Sequence, residues 1–339
     1  MKKFFDFGNK LHSGEVSIPF VRKRKLWLGL AALLTVLSLM VPVVRGMAGA
    51  EPFNLGIAFT GGSEFQVDHV DSSAEAQANK AVTDAVPGAE PRTVPTSNDS
   101  LKIETRQLND DEMQKVRDSL IESFEVNAEN VTSNFVGPLW GQNITKKMTL
   151  ALVIYVGLAL IIMALYFRTF KMSLAAIVGL FFVMVLTTGI YAATGFEITP
   201  EAIIGFLTVL SFSLYDTVVV FDKIRETTKG FEDNRKQTFS SLVELGVNQT
   251  TVRSINTTAI GALPIGAILF IGVFLLGAGT LTDIALSLFV GTIVATVSTL
   301  FVASPLYAVL RGTEEKVREQ ERLVRETVKP SAEKEPVAS

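Results

Sequence analysis

Asp216 is an acid in surroundings that should exclude it. It lies in Leu214-Tyr215-Asp216-Thr217-Val218-Val219-Val220-Phe221, within a run apolar enough to cross a membrane, and it is the one charged or histidine residue read as buried in a span. A carboxylate in hydrocarbon costs about 2.5 to 3.5 kcal/mol on insertion scales, so an intramembrane acid reads first as an ion or proton site. Burial favours the neutral acid and a nearby cation favours the charged one, so a carboxyl group balanced between the two can load and unload a proton. The structural alternative is a carboxylate that snorkels to nearby water.

Arg253 is the natural counter-charge, because it ends a basic loop and opens the next apolar run. Its side chain could reach inward, or it could serve only as a snorkelling anchor that sets topology. Thr257 follows one turn later on the same face. Asn256 and Thr258 add polar groups that could line a hydrated path or hydrogen-bond across helices. Pro264 permits a kink, and Gly261, Gly266 and Gly272 permit close helix approach. Asp222 and Lys223 fall at the interface and need no role beyond orientation.

These residues must be held by membrane helices. Of 339 residues, 48% are hydrophobic, and apolar runs fall at 26–44, 149–167, 172–194, 202–221, 254–276 and 284–310. Each approaches the roughly 20 residues that cross a bilayer core of about 30 Å, and backbone groups in lipid require helices. Lys and Arg crowd residues 1–25, the loops after spans two and four, and the tail from Arg311, whereas 195–200 and 277–283 carry none. The expectation is a multi-pass protein of the cytoplasmic membrane with both termini cytoplasmic and residues 45–148 outside. Asp216 then sits about 8 Å inside the cytoplasmic end of span four. Residues 240–252 read as an amphipathic helix on the inner membrane surface, as do Phe4, Phe5 and Phe7 beside Lys2 and Lys3. In the charged tail, 311–339, residues 314–325 read as helix and 329–339 as disordered.

Residues 45–148 are soluble in composition. Strands are expected at 63–70, 92–94, 101–106 and 131–136, with helices at 73–86 and from the Asn109 cap to about Phe124. The order β-α-β-β-α-β matches the split βαβ, ferredoxin-like pattern. Sixteen acids against nine bases argue against nucleic acid, and the segment reads as a scaffold or protein-contact module. The chain has no cysteine, and His12 and His69 lack metal-ligand spacing. No nucleophile–base pair or cofactor motif appears, so neither an enzyme nor a cofactor or metal is expected. The fold class is an α-helical polytopic membrane protein with six transmembrane helices and a small α+β ferredoxin-like domain between the first two.

Three motifs carry a resemblance to the SecF family of bacterial protein-export membrane subunits, within the resistance-nodulation-division (RND) superfamily. Gly56-Ile57-Ala58-Phe59-Thr60-Gly61-Gly62-Ser63 is similar to the family's G-I-D-F-x-G-G-T, with Ala58 where Asp is common. Val136-Gly137-Pro138-Leu139-Trp140-Gly141 is similar to V-G-P-x-x-G. Asp216 through Asp222, Arg225 and Glu226, followed by Arg253-Ser254-Ile255-Asn256-Thr257-Thr258, is the most specific, although Leu214-Tyr215 replaces a common Ile-Asn. The resemblance implies an RND-like half that pairs with a SecD-like membrane subunit, with the SecYEG channel, a translocating polypeptide and membrane lipid as further partners. It implies that proton flow helps draw exported chains across the cytoplasmic membrane, and it places the family's proton relay on Asp216, Arg253 and Thr257. The competing expectations are an RND-type proton-coupled exporter of small molecules or lipids, and a non-catalytic scaffold in which Asp216 and Arg253 form only a structural ion pair.

Overall fold

The computed structural model describes residues 10–328 apart from 12, 14, 98, 168 and 272–279. The N-terminal phenylalanines, His12, Gly272, the predicted end of span five and the tail beyond 328 lie outside the described residues. Among the described residues, six helices are long and apolar enough to cross a membrane. They are α1 (Arg24–Met47), α5 (Pro138–Phe167), α6 (Phe170–Thr194), α7 (Pro200–Thr227), α8 (Phe239–Ile271) and the continuous run from α9 (Thr280–Ser298) through a π-helical turn (Thr299–Ala303) into α10 (Ser304–Arg311). The π turn has a local cause. Pro305 lacks an N–H and crowds the preceding turn, and the Ser304 hydroxyl bonds the Thr299 carbonyl at 2.8 Å.

The small domain lies between α1 and α5. A two-residue strand β1 (Asn54–Leu55) and a short helix α2 (Ile57–Thr60) lead into β2 (Gly62–Asp68), α3 (Glu75–Ala85), β3 (Arg92–Ser97), β4 (Ser100–Thr105), α4 (Asp110–Phe124) and β5 (Val131–Val136). The sheet order is β3-β4-β2-β5, with every neighbouring pair antiparallel. This is the ferredoxin-like arrangement, in which β4 fills the gap that the β2-α3-β3 crossover leaves. Strand alternation sorts the side chains. Phe65, Val67, Leu101 and Ile103 meet Val82, Val116 and Leu120 of α3 and α4 in one core. Glu64, Gln66, Lys102 and Glu104 occupy the opposite, open face, with Glu64 paired to Glu104 and Gln66 to Lys102. Asn109 and Glu112 close a reciprocal capping box at the start of α4.

The segment 240–252 is not a separate surface helix. It forms the first turns of α8, a single 33-residue helix. Two of its polar residues bind the segment that precedes α1: the Glu244 carboxylate accepts from the Val21 and Arg22 N–H groups at 3.1 and 2.7 Å, and Asn248 brackets Ile18 through the Ile18 N–H and carbonyl. Gly246 lets α8 approach α7, since a Cβ there would stand 3.0 Å from the Ile224 Cα.

This end of the bundle also holds α11 (Glu315–Val328), where Glu321 accepts from Ser240 at 2.7 Å. Residues 17–22 and the C-terminal helix therefore share one end, and the small domain occupies the other. At that other end β1 pairs in parallel with β6 (Glu197–Ile198), the strand between α6 and α7. Arg45 donates to the Ala192 carbonyl and to Asn54.

Candidate functional site

The helix that carries Asp216 is well specified. Thr199 caps α7 by accepting the Ala202 N–H, Pro200 sits at the first turn, and Arg225 lies in the last. Asp216 is 4% exposed, surrounded by Thr217, Ser254 and Thr299, each no more than 3% exposed. The Ser254 hydroxyl donates to Asp216 Oδ1 at 2.7 Å. Oδ2 is buried without a hydrogen-bond partner. Thr299, on the π turn, bonds Thr217 at 3.2 Å and stands against the same carboxyl group. Farther along, Thr258 and Thr296 join α8 to α9. Three helices thus surround one carboxyl group with neutral hydroxyls, and one of its oxygens is left open.

Arg253 is elsewhere. Among the described residues no ion pair joins it to Asp216, and its guanidinium approaches the Tyr215 hydroxyl at 3.5 Å. Helical rotation explains the placement. Neighbouring residues differ by about 100° around the axis, so α8 turns Ser254 toward Asp216 and Arg253 onto an outer face. Thr257 shares that face and donates back to the Arg253 carbonyl at 2.8 Å. Asn256 is exposed beside them, and Tyr215 is 54% exposed. The expected trio therefore splits, with Asp216 inside and Arg253 and Thr257 on an uncovered side of the bundle.

Asp222 and Arg225 form an exposed pair at 3.4 Å on the last turns of α7. The glycine motifs serve a different place, the seam between the small domain and the membrane helices. Gly56 makes room for Glu197, whose carboxylate a Cβ would strike. Gly61 and Gly62 both adopt positive φ where α2 turns into β2, a conformation glycine takes at little cost. Phe59 packs with Tyr191, Ile198 and Ala202. The Gly137 carbonyl accepts from Trp140 and Gly141 where Pro138 opens α5, and Gly141 allows the Phe59 carbonyl to pass.

Sequence reasoning missed Ser254 and Thr299. Ser254 was within reach of a helical-wheel argument, because it lies beside Arg253 in the most specific motif. Thr299 carries no local signal. Also missed was a charge cluster at the seam, where Lys102 binds Glu197, with Glu104 at 3.2 Å and Glu64 at 3.9 Å.

Comparison with known proteins places this arrangement in a family. Residues 115–313 match the model of the C-terminal part of protein export membrane proteins SecD/SecF. The protein translocase subunit SecF of Streptomyces coelicolor is 38% identical over 318 residues, 94% of this chain and 83% of that protein. SecF of Rhodothermus marinus is 30% identical over 305 residues, 87% of this chain and 93% of that protein. The crystal structure of SecDF from Thermus thermophilus, a translocon-associated membrane protein, aligns with a TM-score of 0.75 at 26% identity. That alignment covers 88% of this chain and 39% of SecDF, so the chain corresponds to about two fifths of that protein.

Proposed function

Because this chain belongs to the SecF branch of the SecD/SecF family of protein-export membrane proteins, we propose that it couples proton flow to the late stages of polypeptide translocation. A multi-pass membrane subunit with a role in Sec protein export is the premise; the coupling is the proposal. In this reading both termini are cytoplasmic and the small domain lies outside. The chain works with a SecD-like subunit at the SecYEG channel, among membrane lipid, on a translocating polypeptide.

The observation that carries it is Asp216, buried on α7 with the Ser254 hydroxyl bonded to Oδ1 and Oδ2 without a hydrogen-bond partner. A buried oxygen without a donor is costly when the group is charged, and a proton removes that charge. Arg253, Asn256 and Thr257 on the uncovered side of α8 fit a path completed by the partner's helices, since such groups at membrane depth face protein or water.

Inverted vesicles holding SecYEG, the SecD-like subunit and this chain test the proposal. Asp216→Asn is expected to abolish stimulation of export by a proton gradient while the subunits still assemble. Stimulation equal to the unsubstituted chain overturns it.

A further inference from the structure

The seam between the small domain and the membrane helices buries more acid than it balances. From the sheet's open face come Glu64, Lys102 and Glu104; from β6 comes Glu197, which takes the Lys102 ammonium. One lysine thus faces three carboxyl groups, whose side chains are 26%, 8% and 15% exposed for Glu64, Glu104 and Glu197. Glu104 is the deepest. Its Oε1 lies 3.2 Å from Lys102 Nζ but receives no hydrogen bond. Glu104 and Glu197 both lie against the one Lys102 ammonium, so their carboxyl groups crowd each other around it. Two carboxylates brought that close do not both stay ionised; one proton between them converts repulsion into a hydrogen bond.

We infer that this seam is a second proton-binding site: a proton carried by Glu104 and donated to Glu197 latches the open face of the small domain to the membrane helices, and its departure loosens that contact. The two acids belong to different bodies of the molecule, Glu104 to the small domain and Glu197 to the connection between α6 and α7. The charged groups around Glu104 are Lys102 on its own strand, Glu64 and Arg92 directly opposite it on β2 and β3, and Glu197. Asp283, at the start of α9, bonds Thr199 at 3.1 Å one layer farther into the bundle.

Burial, then Glu197, pushes the Glu104 carboxyl up to about 7, with Lys102 opposing. Burial raises Glu64 as well. Burial works against the Lys102 ammonium, but the carboxylates, Glu197 foremost, outweigh it and hold its pKa above the ordinary value. The sign follows from linkage. The docked state binds the Glu104 proton more tightly than the undocked state, so docking is fully favoured below the ordinary value of 4.5 and weakens as pH rises to about 7. The docked-to-open ratio should fall on the order of a hundredfold across that window.

The chain has no cysteine, so cysteines placed at exposed Lys115 on α4 and Ala193 near the end of α6 take spin labels cleanly. Distances between them are measured by pulsed EPR on the full chain in nanodiscs from pH 5 to 8.5. One short distance is expected at pH 5, with a longer population growing as pH approaches 7. Glu104→Gln supplies a permanent donor to Glu197 and should keep the short distance throughout; Glu197→Gln, which donates to Glu104, should do the same. An unchanged distance distribution in the unsubstituted chain overturns the inference, and so does opening of Glu104→Gln at pH 5. The measurement involves no export, so it stands apart from the Asp216 reading.

Discussion

Among the described residues, a carboxyl oxygen is buried without a hydrogen bond in two regions, and their surroundings differ. Asp216 is enclosed by hydroxyls from three helices that pack directly on one another. Glu104 is enclosed by charges, one of them supplied by a different body of the molecule. Neutral donors can reorient around a carboxyl group as it gains or loses a proton while the helices stay packed. A charge cluster that spans two bodies has no such freedom; a change of one proton changes the force between them. The first arrangement suits passage of a proton, the second suits sensing one.

Removing the central cation is the strongest way to test the contrast. Lys102→Met removes the ammonium that all three carboxyl groups of the seam share. Removing one partner of a buried ion pair costs about 3 kcal/mol or more. The loss should be large at pH 8 and smaller at pH 5, where Glu104, raised to about 7, carries a proton. Apparent melting temperatures of the full chain at the two pH values report it. An equal drop at both would mean that Lys102 acts through its packed stem, and the seam would no longer differ in kind from the membrane site.

A smaller effect is expected at Ser254. Ser254→Ala removes the hydroxyl that donates to Asp216. A hydrogen bond to a charged group contributes about 1.5–3 kcal/mol, so proton-driven export should fall roughly tenfold or more. Ser254→Thr keeps the hydroxyl and should recover most of the rate in the same vesicle assay. Equal losses in both variants would make Ser254 a packing residue and leave Asp216 without a functional hydroxyl partner.

The two regions also differ in how far the chain announces them. Asp216 is legible because an acid inside an apolar run has no cheap explanation, and six such runs with a split βαβ order between the first two are enough to name the architecture. Lys102 and Glu104 look like the solvated half of an alternating strand, which is what most such faces are. Nothing local indicates that this face meets Glu197, 95 residues from Lys102. The segment 240–252 is illegible for the same reason: Glu244 and Asn248, one turn apart among apolar residues, resemble a wet helix face, yet both bind the backbone of residues 18–22. Local pattern reports which groups are polar; only the tertiary partner decides whether they face water.

Arg253 gives the smallest expected change in stability and the sharpest test of where the membrane site ends. Its guanidinium is exposed, and its hydrogen bond to the Tyr215 hydroxyl is long, at 3.5 Å. Surface substitutions away from buried features usually move stability by no more than about 0.5 kcal/mol. Arg253→Gln should therefore leave the melting temperature of the isolated chain almost unchanged, while proton-driven export with the SecD-like subunit present is lost. That combination would mean that the charge acts across the interface with the partner and not on a pair within this chain. A drop of several degrees in the isolated chain would mean instead that Arg253 reaches Asp216 internally. The membrane site would then be a charge cluster like the seam, and the contrast between the two regions would fail.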